Sequence, residues 1–167
     1  DHFRNTATFI DNKGNVRYKY MKHHLVPNVE LGYEVGTHEV EVFKTEIGTV
    51  STVICYDLNF PEFINKIGAL HPDILIAPAW DWGVIIEFQA SQTRLRAIEN
   101  GINIIKNTVG GVIISYDYLG RVLQRYRSDP AEDYFVVMDV FNHGRKTLYS
   151  FIGKFWNYVY IIALVFI

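Results

Sequence analysis

From Thr6 to Tyr20 apolar and polar positions alternate, interrupted only by Asp11-Asn12-Lys13-Gly14. The pattern predicts a hairpin. TATFI (Thr6–Ile10) is its first strand, the Asp-Asn-Lys-Gly tetrapeptide its turn, and Val16, Tyr18 and Tyr20 alternate with Arg17 and Lys19 in a half-buried second strand. Residues 23–38 lose the period and read as a loop. Alternation returns in EVEVFK (Glu39–Lys44). Ile47-Gly48 then turns into a β-branched run, TVSTVI (Thr49–Ile54), which ends at Cys55. A helix is predicted next, with Asn59 as cap, Pro61 in the first turn and Glu62 completing a capping box, reaching His71. DILIAP (Asp73–Pro78) is continuously apolar, as in a strand covered on both faces. A longer helix runs from Glu87 to Asn100, with Phe88, Ser91, Leu95 and Ile98 along one face and Gly101 as its stop. INIIKN, GVIISYD, RVLQRY and YFVVMDV read as four further strands, with Tyr118-Leu119-Gly120 turning the second into the third. The order predicts a mixed α/β domain with both sheet faces partly covered.

The end of the chain departs from this pattern. Phe141 to Lys154 is polar and Gly-containing, and from Phe155 to Ile167 only Asn157 interrupts an apolar run. Thirteen helical residues reach ~20 Å, whereas a bilayer core needs ~30 Å. The run is therefore a buried helix or the first half of a membrane span, and the lack of any helix stop signal favours the span. In a span, Trp156, Tyr158 and Tyr160 would sit at headgroup level with Lys154 just outside. With Asp1 at the start and an apolar run at the end, the chain reads as a piece of a longer protein.

Composition narrows the chemistry. The 167 residues are enough for one domain with a core, and 49% hydrophobic against 20% charged residues excludes a disordered chain. Lys plus Arg is 16 and Asp plus Glu is 18, so no basic excess points to nucleic acid. One cysteine, Cys55, excludes an intrachain disulfide and a multi-cysteine zinc site. His23 and His24 are neighbours that point apart on an extended chain, and His38, His71 and His143 have no ligand spacing. No metal and no cofactor are assigned.

Two segments carry candidate chemistry. In VICYDLNFPE (Val53–Glu62) a buried strand delivers a thiol to the start of a helix, where backbone N–H dipoles favour thiolate, the nucleophilic form. The same Cys55 also reads as a buried structural thiol, because cysteine is among the most buried residue types. In YMKHHLVPNVE (Tyr20–Glu30), Lys22 follows a strand and Glu30 lies eight residues on. Such a pair can place a positive charge beside a reacting oxygen, or can be two solvated side chains.

Together the segments Lys22-x-x-Leu25-Val26-Pro27-x-x-Glu30 and Cys55-Tyr56-Asp57-x-x-Phe60-Pro61-Glu62 resemble the nitrilase (carbon–nitrogen hydrolase) superfamily. RAIENG (Arg96–Gly101), INIIKNTVGG and GVIISYDYLGRVL resemble the helix, strand and hairpin that follow there. Within the superfamily the chain resembles the apolipoprotein N-acyltransferases most, because Tyr149-x-x-x-Gly153 leads into an apolar run as it does there. The chain departs in Val29 where those enzymes usually carry Gly, in the missing Pro after Glu30, and in Asp57 where Glu is usual. Asp81-Trp82-Gly83 matches their Trp-Phe-Gly only loosely, or is an aromatic loop packed on the domain.

The resemblance implies an αββα sandwich of the nitrilase type. Residues 1–150 would be the C-terminal portion of the catalytic domain and 151–167 the start of a transmembrane helix. It implies Cys55 as nucleophile, Lys22 as support of the tetrahedral intermediate, and Glu30 as the group that holds Lys22, with Tyr56 and Asp57 supporting. The family's general-base Glu lies upstream of the lysine motif and is expected outside this chain. The implied reaction moves an acyl chain from a membrane phospholipid to the N-terminal amine of a lipoprotein through a thioester. The site would lie on the extracytoplasmic face of the plasma membrane, with the lipid bilayer as a further partner. The alternatives are a soluble amidase of the same superfamily and an inactive, membrane-anchored binding domain.

Overall fold

A computed structural model describes residues 2–129, 131 and 135–165. The hairpin forms as its alternation requires: β1 (Thr6–Ile10) and β2 (Val16–Met21) pair antiparallel, with Asp11 Oδ1 accepting the Lys13 and Asn15 N–H groups in the turn. The remaining strands form one six-stranded sheet in sequence order: β3 (Phe43–Thr45), β4 (Gly48–Thr52), β5 (Ile74–Trp80), β6 (Asn103–Val109), β7 (Val112–Tyr116) and β8 (Val122–Arg127). β4, β5 and β6 are parallel to one another, and the other pairings are antiparallel. Helices α1 (Pro61–Ala69) and α2 (Ile85–Asn100) supply the crossovers that parallel pairing demands.

One core joins hairpin, sheet and helices: Tyr18 and Tyr20 from β2, Leu75 and Ala77 from β5, Ile64 and Ile67 from α1, and Ala97 from α2. Phe9 and Phe43, with ring centroids 4.3 Å apart, pack the hairpin onto the sheet. Burying each such side chain is worth ~1.5–3 kcal/mol.

Several expectations are corrected. EVEVFK yields a strand only from Phe43, because the backbone before it spends its polar groups on side chains. The Tyr18 hydroxyl donates to Glu39 O, and Glu41 O accepts from Ser51 Oγ. Asn59 does not cap α1. Cys55–Asn59 forms a 3-10 turn instead, Phe60 is the N-cap without a side-chain bond, and the predicted capping box with Glu62 is absent. The helix stops at Ala69, and His71 adopts a left-handed φ of 54°. The buried face of α2 carries Ile86, Gln89, Ala90, Thr93, Arg96, Ala97 and Asn100, while Phe88, Leu95 and Ile98 are exposed. Within YFVVMDV, residues 135–140 form no strand. Asp139 O accepts from Ser115 Oγ and Asp139 N–H donates to Gln124 Oε1, which are side-chain bonds in place of a ladder. Tyr134 lies outside the described residues.

The polar stretch leads into α3 (Leu148–Ile152), capped by Thr147 Oγ1, which accepts from Ser150 N–H at 2.9 Å. Asn65 of α1 donates to Tyr149 O at 3.1 Å, and a Cβ on Gly153 would lie 2.1 Å from Asn65 Oδ1. That close approach explains the Tyr149-x-x-x-Gly153 spacing. α4 (Trp156–Val165) follows, with Tyr158, Ile161, Ile162 and Leu164 exposed. Among the described residues no helix is long and apolar enough to cross a membrane. The side chains of Trp156 and Tyr160, expected at headgroup level, and of Lys154, expected just outside it, lie outside the described residues.

Candidate active site

Tyr18, Tyr20 and Lys22 share one phase of the β2 alternation, and all three point inward; the Lys22 side chain is 2% exposed. Its backbone is held from both sides, with Lys22 N–H donating to Asn5 O at 2.9 Å and Gly36 N–H to Lys22 O at 2.7 Å. Gly36 is required there: a Cβ would lie 2.0 Å from Met21 O. Lys22 Nζ donates to Glu30 Oε2 at 2.6 Å. Glu30 also accepts Val26 N–H on Oε2 and Asn5 Nδ2 on Oε1, each at 2.7 Å. Burial opposes its ionisation, but the hydrogen bonds from Lys22, Val26 and Asn5 outweigh it, and the carboxyl stays below the ordinary range.

β4 delivers Cys55 to the other side of the same space. The chain turns there with Cys55 at φ 48°, a sparsely populated conformation for a side-chain-bearing residue, which persists only where its surroundings fix it. Asp57 does the fixing. Its carboxylate, 0% exposed, accepts Ile54 N–H at 3.0 Å, the Tyr20 hydroxyl at 2.6 Å and His24 N–H at 2.8 Å, and lies 2.9 Å from His24 Nδ1. One side chain thus ties the end of β2, the segment after Lys22 and the turn bearing Cys55 to a common point. Burial, reinforced by the Asp57 charge, pushes the Tyr20 hydroxyl far up, so it remains a donor. The His24 ring stacks on Phe60 with centroids 3.7 Å apart.

Cys55 Sγ faces Trp80 O at 3.8 Å. Burial pushes its thiol up and the Asp81 charge adds to this; the Trp80 contact, Lys22 and Lys106 pull the other way without reversing the shift. The expectation that helix dipoles favour thiolate is therefore corrected. Only a five-residue 3-10 turn starts at Cys55, and burial dominates. The Tyr56 ring packs edge-on against Phe60 at 5.2 Å. Its backbone N–H belongs to the first turn, whose donors have no partner within the helix.

Lys22, Glu30 and Cys55 line one cavity of about 610 Å³, together with Asn5, Val26, Val29, Ile54, Trp80 and Trp82. It holds a thiol, a fixed ammonium and an apolar wall, the components of acyl chemistry on an uncharged chain. Sequence reasoning missed Asn5, Tyr20 and His24, which hold Glu30 and Asp57 in place. It also passed over Lys106, fully buried in β6 and paired with the buried Asp81, although a lysine inside the apolar run INIIKN was a visible signal.

The carbon–nitrogen hydrolase family model matches residues 1–138. A "hydrolase in agr operon" of Staphylococcus lugdunensis is 36% identical over 109 residues, covering 63% of this chain and 46% of that protein. The apolipoprotein N-acyltransferase of Borreliella burgdorferi is 22% identical over 154 residues, covering 90% of this chain and 29% of that protein. The chain thus spans less than half the length of either relative. The amidase from Nesterenkonia sp. superimposes with a TM-score of 0.70 at 24% identity, covering 75% of this chain and 52% of that one. This likeness speaks for the fold, an α/β nitrilase type with a mixed sheet. Family match, fold and cavity agree: the chain belongs to the carbon–nitrogen hydrolase family.

Proposed function

We propose that this chain carries the nucleophile and the oxyanion-binding lysine of an acyltransferase that works through a thioester on Cys55. The observation that carries this is the convergence of Cys55, Lys22 and Glu30 on one cavity, with Cys55 at a strained turn. Cys55 Sγ forms a bond to the acyl carbonyl carbon while its proton passes to a base. The carbonyl π pair moves onto oxygen, and in this reading Lys22 Nζ and the Tyr56 N–H receive the charge. Collapse of this intermediate breaks the bond to the leaving group, which takes the proton and departs. Glu30 is a poor base, because three donors hold it ionised; its role is to fix Lys22. The resemblance assigns the base to a glutamate before the lysine motif, and the first glutamate of the 167 residues is Glu30 itself.

The acyl donor in this proposal is a membrane phospholipid and the acceptor the N-terminal amine of a lipoprotein. The site then works at the bilayer, on the extracytoplasmic face of the plasma membrane. Similarity to an apolipoprotein N-acyltransferase over 90% of the chain supports this, as does the exposed apolar rim of Val29, Trp80 and Trp82. The second reading is an amidase, in which water resolves the thioester. It is favoured by the likeness in fold to the amidase from Nesterenkonia sp..

Intact-mass analysis of the full-length protein after incubation with phospholipid should show the mass of an acyl group on Cys55, and Cys55→Ala should abolish turnover. An active preparation with Cys55 unmodified would overturn the mechanism. Rapid loss of the adduct to water, unaffected by an added amine acceptor, would decide for the amidase. The full-length protein should also need detergent to leave the membrane, and release by alkali alone would count against the bilayer partner.

A further inference from the structure

Lys106 and Asp81 form an ion pair that the acyl chemistry above does not use. Lys106 stands mid-strand in β6, paired in register with Ala77 of β5 and Ile114 of β7, and is 0% exposed. Asp81 follows directly on β5 and is 1% exposed. Its N–H donates to Val109 O and to Thr108 Oγ1, both at 3.1 Å, its Oδ2 takes the Lys106 ammonium, and its Oδ1 is buried without a partner. A buried ion pair is weak support for stability, since desolvation of the two charges offsets their attraction. A carboxylate left with an empty oxygen is weaker still.

The location gives the pair another role. Asp81 lies between Trp80 and Trp82, both of which line the cavity, and the Trp80 carbonyl faces Cys55 Sγ at 3.8 Å. Gly111 adds a constraint from the far side, where a Cβ would lie 2.8 Å from Asp81 Cβ. Asp81 is thus gripped by Lys106, Thr108 and the approach of Gly111, and nothing in that grip reaches the hairpin or the Glu30 loop.

We propose that the Lys106–Asp81 pair is a second charged unit of this site and that Asp81 is a positioning residue. Held by Lys106 and Thr108, Asp81 fixes the Trp80 carbonyl against Cys55 Sγ and sets Trp80 and Trp82 as the cavity wall. This rests on Cys55 being the reactive group. The charges that act on Cys55 are Lys22 from the end of β2, Asp81 after β5 and Lys106 in β6; Glu30 acts on it through Lys22.

The test uses the full-length protein and the rate at which iodoacetamide alkylates Cys55 as a function of pH, beside thermal unfolding. Asp81→Asn removes an anion that opposes thiolate formation. The midpoint of the alkylation profile should move to lower pH, with a rate at pH 7 raised roughly threefold to tenfold. Asp81→Asn also leaves Lys106 buried and unpaired, so the melting temperature should fall. Asp81→Asn/Lys106→Met removes both charges of the pair, whose effects on Cys55 oppose one another, so its melting temperature should return toward the parent value, while the alkylation profile stays displaced through the lost hold on the Trp80 carbonyl. A purely structural role would restore both together, and that result, or an unshifted profile in Asp81→Asn, would overturn the proposal. If Asp81→Asn does not fold, Thr108→Val removes only one anchor of Asp81 and should shift the profile in a smaller degree; an unchanged profile there would equally count against it. Absence of an acyl adduct on Cys55 in the parent enzyme would refute the thioester mechanism and leave the alkylation result standing.

Discussion

Lys22 and Lys106 are both buried lysines paired with a carboxylate, and both act electrostatically on Cys55, yet they are built differently. Lys22 opens onto the cavity, and its partner Glu30 has every oxygen occupied, by Asn5, Val26 and Lys22 itself. Lys106 is sealed within the sheet, and its partner Asp81 keeps one oxygen empty. The first pair sits on loops that the hairpin and Gly36 hold from outside; the second joins a strand residue to the residue directly after the neighbouring strand, and neither can move without the sheet. A charge meant to meet a substrate needs access and a satisfied partner. A charge meant to hold backbone needs only to be anchored. The difference separates a group that acts on the reacting oxygen from one that acts through the chain.

Two substitutions break the comparison most sharply. Lys22→Met should lower turnover ~10²–10³-fold, the usual loss when one oxyanion donor goes. Lys106→Met should instead cost ~3–5 kcal/mol of folding stability, because it strands a buried carboxylate. Steady-state kinetics and urea unfolding of both variants check this, and a Lys106→Met protein as stable as its parent would erase the distinction. Gly36→Ala comes next. Its Cβ would push on Met21 O and so on the backbone of Lys22, and activity should fall more than stability, as kinetics beside thermal unfolding would show.

How much of this was legible in the sequence depends on the kind of constraint. The β2 alternation carried Tyr18, Tyr20 and Lys22 inward together, so a buried lysine could be read from phase alone. Cys55 at the end of a β-branched run was equally visible. Asn5 was not, because it reaches Glu30 across twenty-five residues with no local pattern. The turn at Cys55–Asn59 was misread as a capped helix start because the motif Asn-Phe-Pro-Glu satisfies the capping rule, while Asp57 fastens the turn to Ile54 first.

The pH dependence sharpens the comparison at smaller scale. Glu30 titrates below the unfolded carboxylate range, so folding it in the ionised form stabilises the protein fully above that range. The contribution is lost as pH falls through the folded value. Urea unfolding between pH 3 and 7 should show parent stability declining at the acid end, and Glu30→Gln should flatten that decline; an unchanged slope would mean that Glu30 is not held by its donors.

The smallest effect is expected on α2, where the apolar stripe and the buried face are opposite to the simple rule. Gln89, Thr93, Arg96 and Asn100 face inward, and the helix satisfies only part of their polarity: Thr93 Oγ1 donates to Gln89 O and Asn100 Nδ2 to Arg96 O. Arg96 Nη1 lies 3.0 Å from Glu99 Oε2 as an ion pair without a hydrogen bond, and Gln89 Oε1 and Arg96 Nε are buried without a partner. Close contact with the sheet and α1 leaves space for such side chains but none for a bulky one, as Asn100 shows: a Cβ on Gly68 would lie 2.4 Å from its Oδ1. Leu95, 45% exposed on the far side, therefore has little burial to lose. Leu95→Gln should change stability by no more than about 0.5 kcal/mol in urea unfolding, whereas Thr93→Leu at the sealed face should cost ~1–3 kcal/mol through overpacking. A Leu95→Gln loss as large as that of Thr93→Leu would mean that the exposed stripe is covered in solution, and the helix would then bury both faces.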